Sequence, residues 1–469
     1  MVGMVGVMMS GCRLVKAPAS PYEAWIPPSN DKTQQTVDPS WTEIRQQRTE
    51  TNLALALMDL ADIALRNSPS TREAWENARS SQASVDQAAS AVYPQLTATG
   101  TGTRQKTTAN VSSDESDYLT YGPGLQLSWL VYNFGGRAAA IEGANQLMFK
   151  SNYLFNKAIQ DLLLAVAKNY YNLHSAQETL DAAQKTVDDA RASLDAVKHK
   201  FEAGLAARPD VLQAQATYDS SIYTLESARG NIESARAMLA QSLGLSSDTP
   251  FTIAPPTDVF PTDFTRDQVS VLIETALKRR PDVASMRANV HAREAYIQVQ
   301  SAALWPSLNV SGSANRNGFQ YYDDAHTQDM NNNVYMATLT ASWTLFDGYS
   351  NLSKKRQAEA DARAAREQLR STEINASADV WTRYYAYQTA IRKLNSSQTY
   401  LDSSQASYDV TFAGYQSGLK GVLDLLQAQS TVSDARSKWI SSKAALFNAL
   451  ADLSYSTGNL QVKDLRGTK

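Results

Sequence analysis

Apolar side chains recur at intervals of three and four residues over long stretches of this chain. Leu173, Ala176, Leu180, Ala183, Val187, Ala190, Leu194, Val197 and Phe201 keep that spacing without a break. Tyr387, Ala390, Leu394, Ser397, Leu401, Ser404, Tyr408, Thr411 and Tyr415 share the register. After a short interruption the pattern resumes at Val211, Ala214, Tyr218, Ser221, Leu225, Ala228, Ile232, Ala235 and Leu239, and likewise from Leu425 to Leu453. A seven-residue period keeps one seam turned toward a partner helix, which is coiled-coil geometry. A helix from Arg137 to Phe201 would be roughly 100 Å long at about 1.5 Å per residue. The interruptions are Gly204 to Asp210 and Gly418 to Asp424, each with a glycine suited to end a helix. In the first, Pro209 is placed to start the next helix.

A period of two appears elsewhere. Leu308, Val310, Gly312 and Ala314 alternate with Asn309, Ser311, Ser313 and Asn315. Ala337, Leu339, Ala341 and Trp343 alternate with Thr338, Thr340, Ser342 and Thr344, and Leu125, Leu127, Trp129 and Val131 with Gln126 and Ser128. Such segments predict strands with one apolar and one hydroxyl- and amide-bearing face. A water-filled membrane barrel has this pattern, and so does a half-buried soluble sheet. Polar loops are expected at 110–117 and 320–333, with Asn331, Asn332 and Asn333 at a loop tip. Before each strand region an Ala-, Arg- and Gln-rich helix is expected, about 53–91 and 269–303, ended by Pro94 or Pro306.

The chain repeats itself. Ala64-Leu65-Arg66-Asn67-Ser68-Pro69 is echoed by Ala276-Leu277-Lys278-Arg279-Arg280-Pro281, and Tyr93-Pro94-Gln95-Leu96 by Trp305-Pro306-Ser307-Leu308. From Trp129 onward the two copies stay 214 residues apart, as Trp129 and Trp343 are. This is far longer than solenoid repeats of about 20–50 residues, and marks a duplicated half-protein. The expected layout is a signal and lipobox at 1–12, an extended arm at 13–50 and a first repeat at 51–247. A linker at 248–268, a second repeat at 269–458 and a tail at 459–469 follow.

Composition narrows the function. With 44 basic and 47 acidic side chains no basic surface is implied, so nucleic acid is excluded as an expected partner. No apolar run after the first dozen residues approaches the roughly 20 a membrane helix needs, which excludes a helical transporter but not a β-barrel. His174, His199, His291 and His326 lack neighbours at metal-ligand spacing. Gly122-Pro123-Gly124 and Gly135-Gly136 lack the Lys-Ser pair of a phosphate loop. We therefore expect no enzyme, no metal and no cofactor.

The single cysteine, Cys12, rules out a disulfide within the chain. Met9-Ser10-Gly11-Cys12 follows an apolar or small stretch and resembles a bacterial lipoprotein box, which implies that Cys12 carries lipid. Arg13 follows rather than the aspartate that often retains lipoproteins at the inner membrane. No Lys or Arg precedes the stretch, so the signal pattern is incomplete. The alternative is an ordinary buried cysteine after a Met-rich start.

Taken in order, "ALRNSP" and "ALKRRPD", "YPQL" and "WPSL", "SWLVYNFGGR" and "SWTLFDGYSN", and the turns "FEAGLAARPDVLQAQ" and "YQSGLKGVLDLLQAQ" resemble the TolC/OprM family of outer-membrane efflux factors over about 53–458. The lipobox resembles its lipoprotein branch. The resemblance implies an α+β membrane protein. Each protomer would give four strands to a shared trimeric barrel of twelve, continued into a long coiled-coil periplasmic tunnel closed near the turns. It implies an outer-membrane exit duct for small molecules, a homotrimer held in outer-membrane lipid, with a periplasmic adaptor and an inner-membrane pump as partners. Export of proteins or signal molecules uses the same fold, and a structural coiled-coil surface protein is a further alternative. For the gate, the family's second-half tyrosine, basic residue and first acid map to Tyr415, Lys420 and Asp424. The second acid's place holds Gln427, a departure, and the first-half acid maps to Asp210. Asp210 and Asp424 also fit a plainer role, since an acid in a helix's first turn is stabilised by the helix dipole.

Overall fold

A computed structural model describes residues 54–107, 116–256, 266–322 and 327–460, together with 18, 20–22 and 25. Cys12, His326 and most of the expected arm lie outside the described residues. The chain divides into two compact units. One holds Ala78–Ser151 and Met286–Arg370; the other holds Pro18–Asn77, Asn152–Ser285 and the described residues from Ser371 onward. The element order repeats: α1 (Leu57–Asn67), α2 (Pro69–Ser90), β1 (Gln95–Thr107), β2 (Ser116–Tyr132), α3 (Gly136–Glu202) and α4 (Arg208–Ser242). The second copy is α5 (Arg266–Arg279), α6 (Pro281–Ala302), β3 (Ser307–Tyr322), β4 (Thr327–Ser342), α7 (Ser350–Gln416) and α8 (Val422–Ser456). The equivalent long helices have equal lengths, 67 residues for α3 and α7 and 35 for α4 and α8.

The first helix of each half is two helices. Pro69 and Pro281 each begin the second piece, because the ring removes an N–H donor and biases the preceding residue out of helical conformation. The breaks are packed against. Gly244, at φ +67°, leaves so little room that a Cβ there would meet the Asn67 carbonyl oxygen at 2.7 Å. Gly458, its equivalent at φ +71°, stands in the same way against Arg279 and Arg280. Each half therefore closes its last helix onto the break in its first.

In the first unit the four strands form one antiparallel sheet in the order β1-β2-β3-β4. The strands run further than the polarity pattern predicts. Asn331, Asn332 and Asn333 are not a loop tip but pair with Gly318, Asn317 and Arg316 inside β4. The ladder is made by backbone groups, so it continues through polar residues where neither face needs a core. Asp117 likewise lies in β2, paired with Lys106.

The turn from strand to long helix is the same in both copies. Phe134 and Gly135, and their equivalents Gly348 and Tyr349, all have positive φ, so each corner carries two left-handed residues. The Asn133 and Asp347 carboxamide and carboxylate oxygens accept from Arg137 N at 3.1 Å and Asn351 N at 2.7 Å, capping the helices. The Trp129 and Trp343 indoles donate to the carbonyls of Val92 at 2.9 Å and Leu304 at 3.1 Å. The duplication thus persists to single hydrogen bonds.

The second unit is built on the heptad seams. Of the seam positions in the four long helices, Phe201 alone is exposed. Charged links cross between the helix pairs: Lys443 Nζ to Glu178 at 3.0 Å and Arg436 to Asp189 at 2.7 Å, both from α8 to α3. A larger network starts at the α5–α6 break. Arg280 binds Asp282 at 2.8 Å and Asp379 at 2.9 Å and donates to the Ser456 carbonyl. Arg383 continues it to Asp379 and Asp452, and Lys168 closes on Asp452 at 2.7 Å. One chain of charge thus ties α6, α7, α8 and α3.

Burial pushes the Asp282 carboxyl up, but the Arg280 guanidinium outweighs it and holds the group below the usual carboxylate range. A lowered folded pKa contributes stability that is complete above the unfolded value, about 3.9, and is lost as pH falls through the folded value. Arg280→Met should cost about 2 kcal/mol at pH 7, because it leaves the half-buried Asp282 without its guanidinium and Asp379 with Arg383 alone. The penalty should shrink toward pH 3, where these acids become neutral. Urea unfolding followed by circular dichroism at both pH values measures it.

Candidate functional site

Two surfaces carry the chemistry: the faces of the sheet and the turns between paired long helices. Residues opposite each other in a ladder share a face, so register assembles the faces in rows. On one face stand Ala98, Leu125, Ala314 and Tyr335, then Leu96, Leu127, Gly312 and Ala337, then Trp129, Val310 and Leu339. In β2 this face is non-polar or aromatic from Tyr121 to Val131, close to the roughly 9–11 residues with which a tilted strand crosses a bilayer. Leu96 is 67% exposed and Leu339 65%, so none of the described residues covers it. Toward the loops it gives way to Arg104, Lys106 and Asp117, and Arg316 of β3 stands on it between the levels of Gly124 and Tyr121.

The other face is wet and uncharged. Its rows include Thr97, Gln126, Ser313 and Met336, and Gln95, Ser128, Ser311 and Thr338. Among the described residues no Asp, Glu, Lys or Arg lies on it. The helix-side end of the sheet carries exposed aromatics. Phe134 packs on Tyr132 and stacks on Trp305 at 5.5 Å, and Phe346 meets Tyr349 edge-on. Among the described residues β1 and β4 each pair on one side only.

At the turns, both helix ends are closed by the same device. Leu205 N donates to the Lys200 carbonyl at 2.7 Å and Gly204 N to Phe201 at 2.9 Å. Leu419 N and Gly418 N repeat this on Gly414 and Tyr415. Gly204 and Gly418, at φ +74° and +82°, supply the left-handed residue. The Asp210 carboxylate accepts from Ala207 N at 3.1 Å, and the Asp424 carboxylate from Gly421 N at 3.2 Å. Both acids therefore act as caps of α4 and α8 within the chain.

The remaining gate residues are placed as follows. Tyr415 is 4% exposed, in a core with Leu194, Val197, Ala214, Leu425 and Leu426. Its buried hydroxyl has no hydrogen-bond partner among the described residues. Burial, and then the negative charge of Asp210, push the phenol above its ordinary pKa. Lys420 is exposed and its stem lies across Gly414, where a Cβ would meet it at 2.9 Å. No carboxylate pairs with it among the described residues of the chain. Gln427 is exposed. Sequence reasoning missed Lys200, whose ammonium donates to the Tyr415 carbonyl and lies 4.3 Å from the centre of its ring. A lysine at that position reads as one more solvated helix residue, and only the fold brings it to Tyr415.

His174, His199 and His291 each face a glutamate three or four residues further on. Among the described residues no group of three metal-ligating side chains converges.

The sequence matches the profile of a family described as outer membrane efflux protein over residues 60–245 and 272–459, one match to each repeat. It is 26% identical to Protein CyaE of Bordetella pertussis over 406 residues, covering 87% of this chain and 84% of that one. It is 26% identical to the pyoverdine export outer membrane protein OpmQ of Pseudomonas aeruginosa over 418 residues, covering 88% and 86%. Among solved structures, the outer-membrane channel OprN superposes with a TM-score of 0.76 at 21% identity, covering 86% of this chain and 90% of that one. The fold is that of a protomer of the trimeric outer-membrane efflux channels, mostly helical with one four-stranded antiparallel sheet.

A Cβ at Gly204 or Gly418 would meet nothing within 4 Å, so replacing either tests backbone conformation alone. Gly204→Ala and Gly418→Ala should each destabilise the helical part by about 1 kcal/mol, the cost of a left-handed alanine. Chemical unfolding of the detergent-purified protein checks this.

Proposed function

The chain belongs to the outer membrane efflux protein family, and we propose that it is the exit duct of a tripartite efflux system. In this reading it passively conducts small molecules, drugs, toxic compounds or metals among them, from an inner-membrane pump and periplasmic adaptor to the outside. The observation that carries the proposal is the sheet. Among the described residues nothing covers its apolar face or pairs with its two outer edges, and its opposite face is hydroxyl- and amide-bearing. A single sheet cannot lie in hydrocarbon with open edges. Three protomers, each pairing β1 with β4 of the next, would close a barrel of twelve strands around a water-filled lumen. The aromatics at the strand-to-helix corners suit the membrane–water boundary. The long helices would continue the duct into the periplasm.

A relative named for pyoverdine export supports a small-molecule cargo, and one named for alkaline protease secretion supports a protein cargo. Secretion of proteins or signal molecules is the second reading. Accumulation of dyes, drugs and metals in a deletion strain separates them, since small-molecule efflux predicts higher retention and protein secretion predicts none. In mild detergent the protein should have three times the mass of the 51.4 kDa chain by light scattering; a stable monomer would overturn the duct. Lipidation at Cys12 would add an anchor, and mass spectrometry of the mature protein should find a diacylglyceryl cysteine at its N-terminus.

The turns would form the tunnel's closed end. Lys420, exposed beside Tyr415, is available to the Asp210 turn of a neighbouring protomer, an ion pair worth about 0–1 kcal/mol at a partly exposed site. A latch that weak suits a gate that an adaptor opens. Three copies of Asp424 would favour cations, more weakly than in relatives with a second acid where this chain has Gln427. Lys420→Ala should raise single-channel conductance in planar bilayers, and Asp424→Ala should reduce cation selectivity. No change in either variant would leave the acids as helix caps only.

A further inference from the structure

The two copies of the turn differ at one contact. Lys200 and Tyr415 face each other, but the residues 214 positions away are Gly414 and Phe201, which cannot make the same link. Tyr415 is buried at 4% exposure, whereas Phe201 is 44% exposed. Among the described residues this lysine contact therefore exists at the C-terminus of α7 and has no equivalent at the C-terminus of α3.

The tie is made by the ammonium of Lys200. It donates to the Tyr415 carbonyl, which already accepts from Gly418 N and belongs to the electron-rich end of α7. It also stands 4.3 Å from the centre of the Tyr415 ring, on which a cation is attracted. Two contacts from one charge to one residue fix direction as well as distance. The apolar cluster around Tyr415 joins all four long helices but is non-directional, so it tolerates sliding. The Tyr415 hydroxyl adds no bond among the described residues, and Lys420 is exposed. The charged cross-links from Glu178 to Lys443 and from Asp189 to Arg436 lie further up α3 and hold α8. On α7 the Tyr408 hydroxyl, two turns before Tyr415, reaches Ser193 Oγ at 3.5 Å and the Asp189 carbonyl at 3.4 Å, so Lys200 makes the last polar link on α7 before the turn among the described residues.

We propose that Lys200 is a gate-positioning residue, which holds the end of α7 against α3 and must release Tyr415 before the second helix pair can swing away from the first. This rests on the reading of the turns as the tunnel's closed end. Lys200→Met keeps the stem and removes the charge; Lys200→Arg keeps a donor and a cation.

Single-channel recording of the purified full-length trimer in planar bilayers tests the assignment, with trimer mass and thermal unfolding followed in parallel. Lys200→Met should raise open probability about fivefold, the shift that loss of about 1 kcal/mol produces. Lys200→Arg should stay closed like the parent, and unfolding of both should match it. An unchanged Lys200→Met channel beside a Lys420→Ala channel of raised conductance would overturn the role of Lys200 and leave the gate standing. Unchanged channels in both would overturn the gate and the role together. If Lys200→Met opened the channel only with a matching loss of thermal stability that Lys200→Arg did not restore, Lys200 would be a packing residue and the proposal would fail.

Discussion

Every backbone N–H and C=O placed in hydrocarbon must find its partner inside the protein. In this chain that demand falls on the outer edges of β1 and β4, since β2 and β3 are paired on both sides. An apolar face that none of the described residues covers carries those edges into a bilayer, and there they cannot stay open. The remaining features follow from this condition. The opposite face is uncharged and polar because it looks onto water, and the corners are aromatic because that is where a barrel leaves the membrane. The paired helices that continue each strand pair have seams rather than a compact core.

The duplication is what makes four strands and four long helices economical to specify. Its imprint is not only in sequence. Tryptophan indoles 214 residues apart bond equivalent turn carbonyls, equivalent glycines pack on equivalent proline breaks, and equivalent acids cap equivalent helices. Against so regular a background the exceptions stand out. Pro123 sits in the central strand β2, opposite Gly100, at a point where the ladder to β3 lapses between Tyr121 and Gly124. Flanking Gly122 and Gly124 leave room there for a neighbouring strand to approach, since a Cβ at Gly122 would run into the Arg316 backbone. The contact of Lys200 with Tyr415, absent from the other copy, is the corresponding exception at the helical end.

Much of this was legible in the residues. The heptad seams could be read because a strict period survives over nine positions and each is then found turned inward, Phe201 apart. The strand faces could be read wherever one side meets a non-polar environment. Legibility failed where the environment stops discriminating. Asn331 to Asn333 looked like a loop because polarity alone cannot separate a wet strand from a turn. The helix breaks at Pro69 and Pro281 were hidden inside runs of good helix formers. At the turns the acids could be located but not their partners. Spacing fixed Asp210 and Asp424 in first turns, yet nothing local indicates that Tyr415 would be gripped by a lysine from a helix more than 200 residues earlier in the chain.

Barrel closure is tested most directly by cysteine pairs across the two edges. With Cys12 replaced by serine, a cysteine at Thr97, Thr99 or Thr101 of β1 would be combined with one at Thr338 or Thr340 of β4. A disulfide needs α-carbons within about 7 Å, so only paired edges can form it. After oxidation in cells, denaturing gels should show covalent dimers and trimers for at least one pair, and none for the single cysteines. Oxidised protein that stays monomeric for every pair would contradict a barrel shared among protomers.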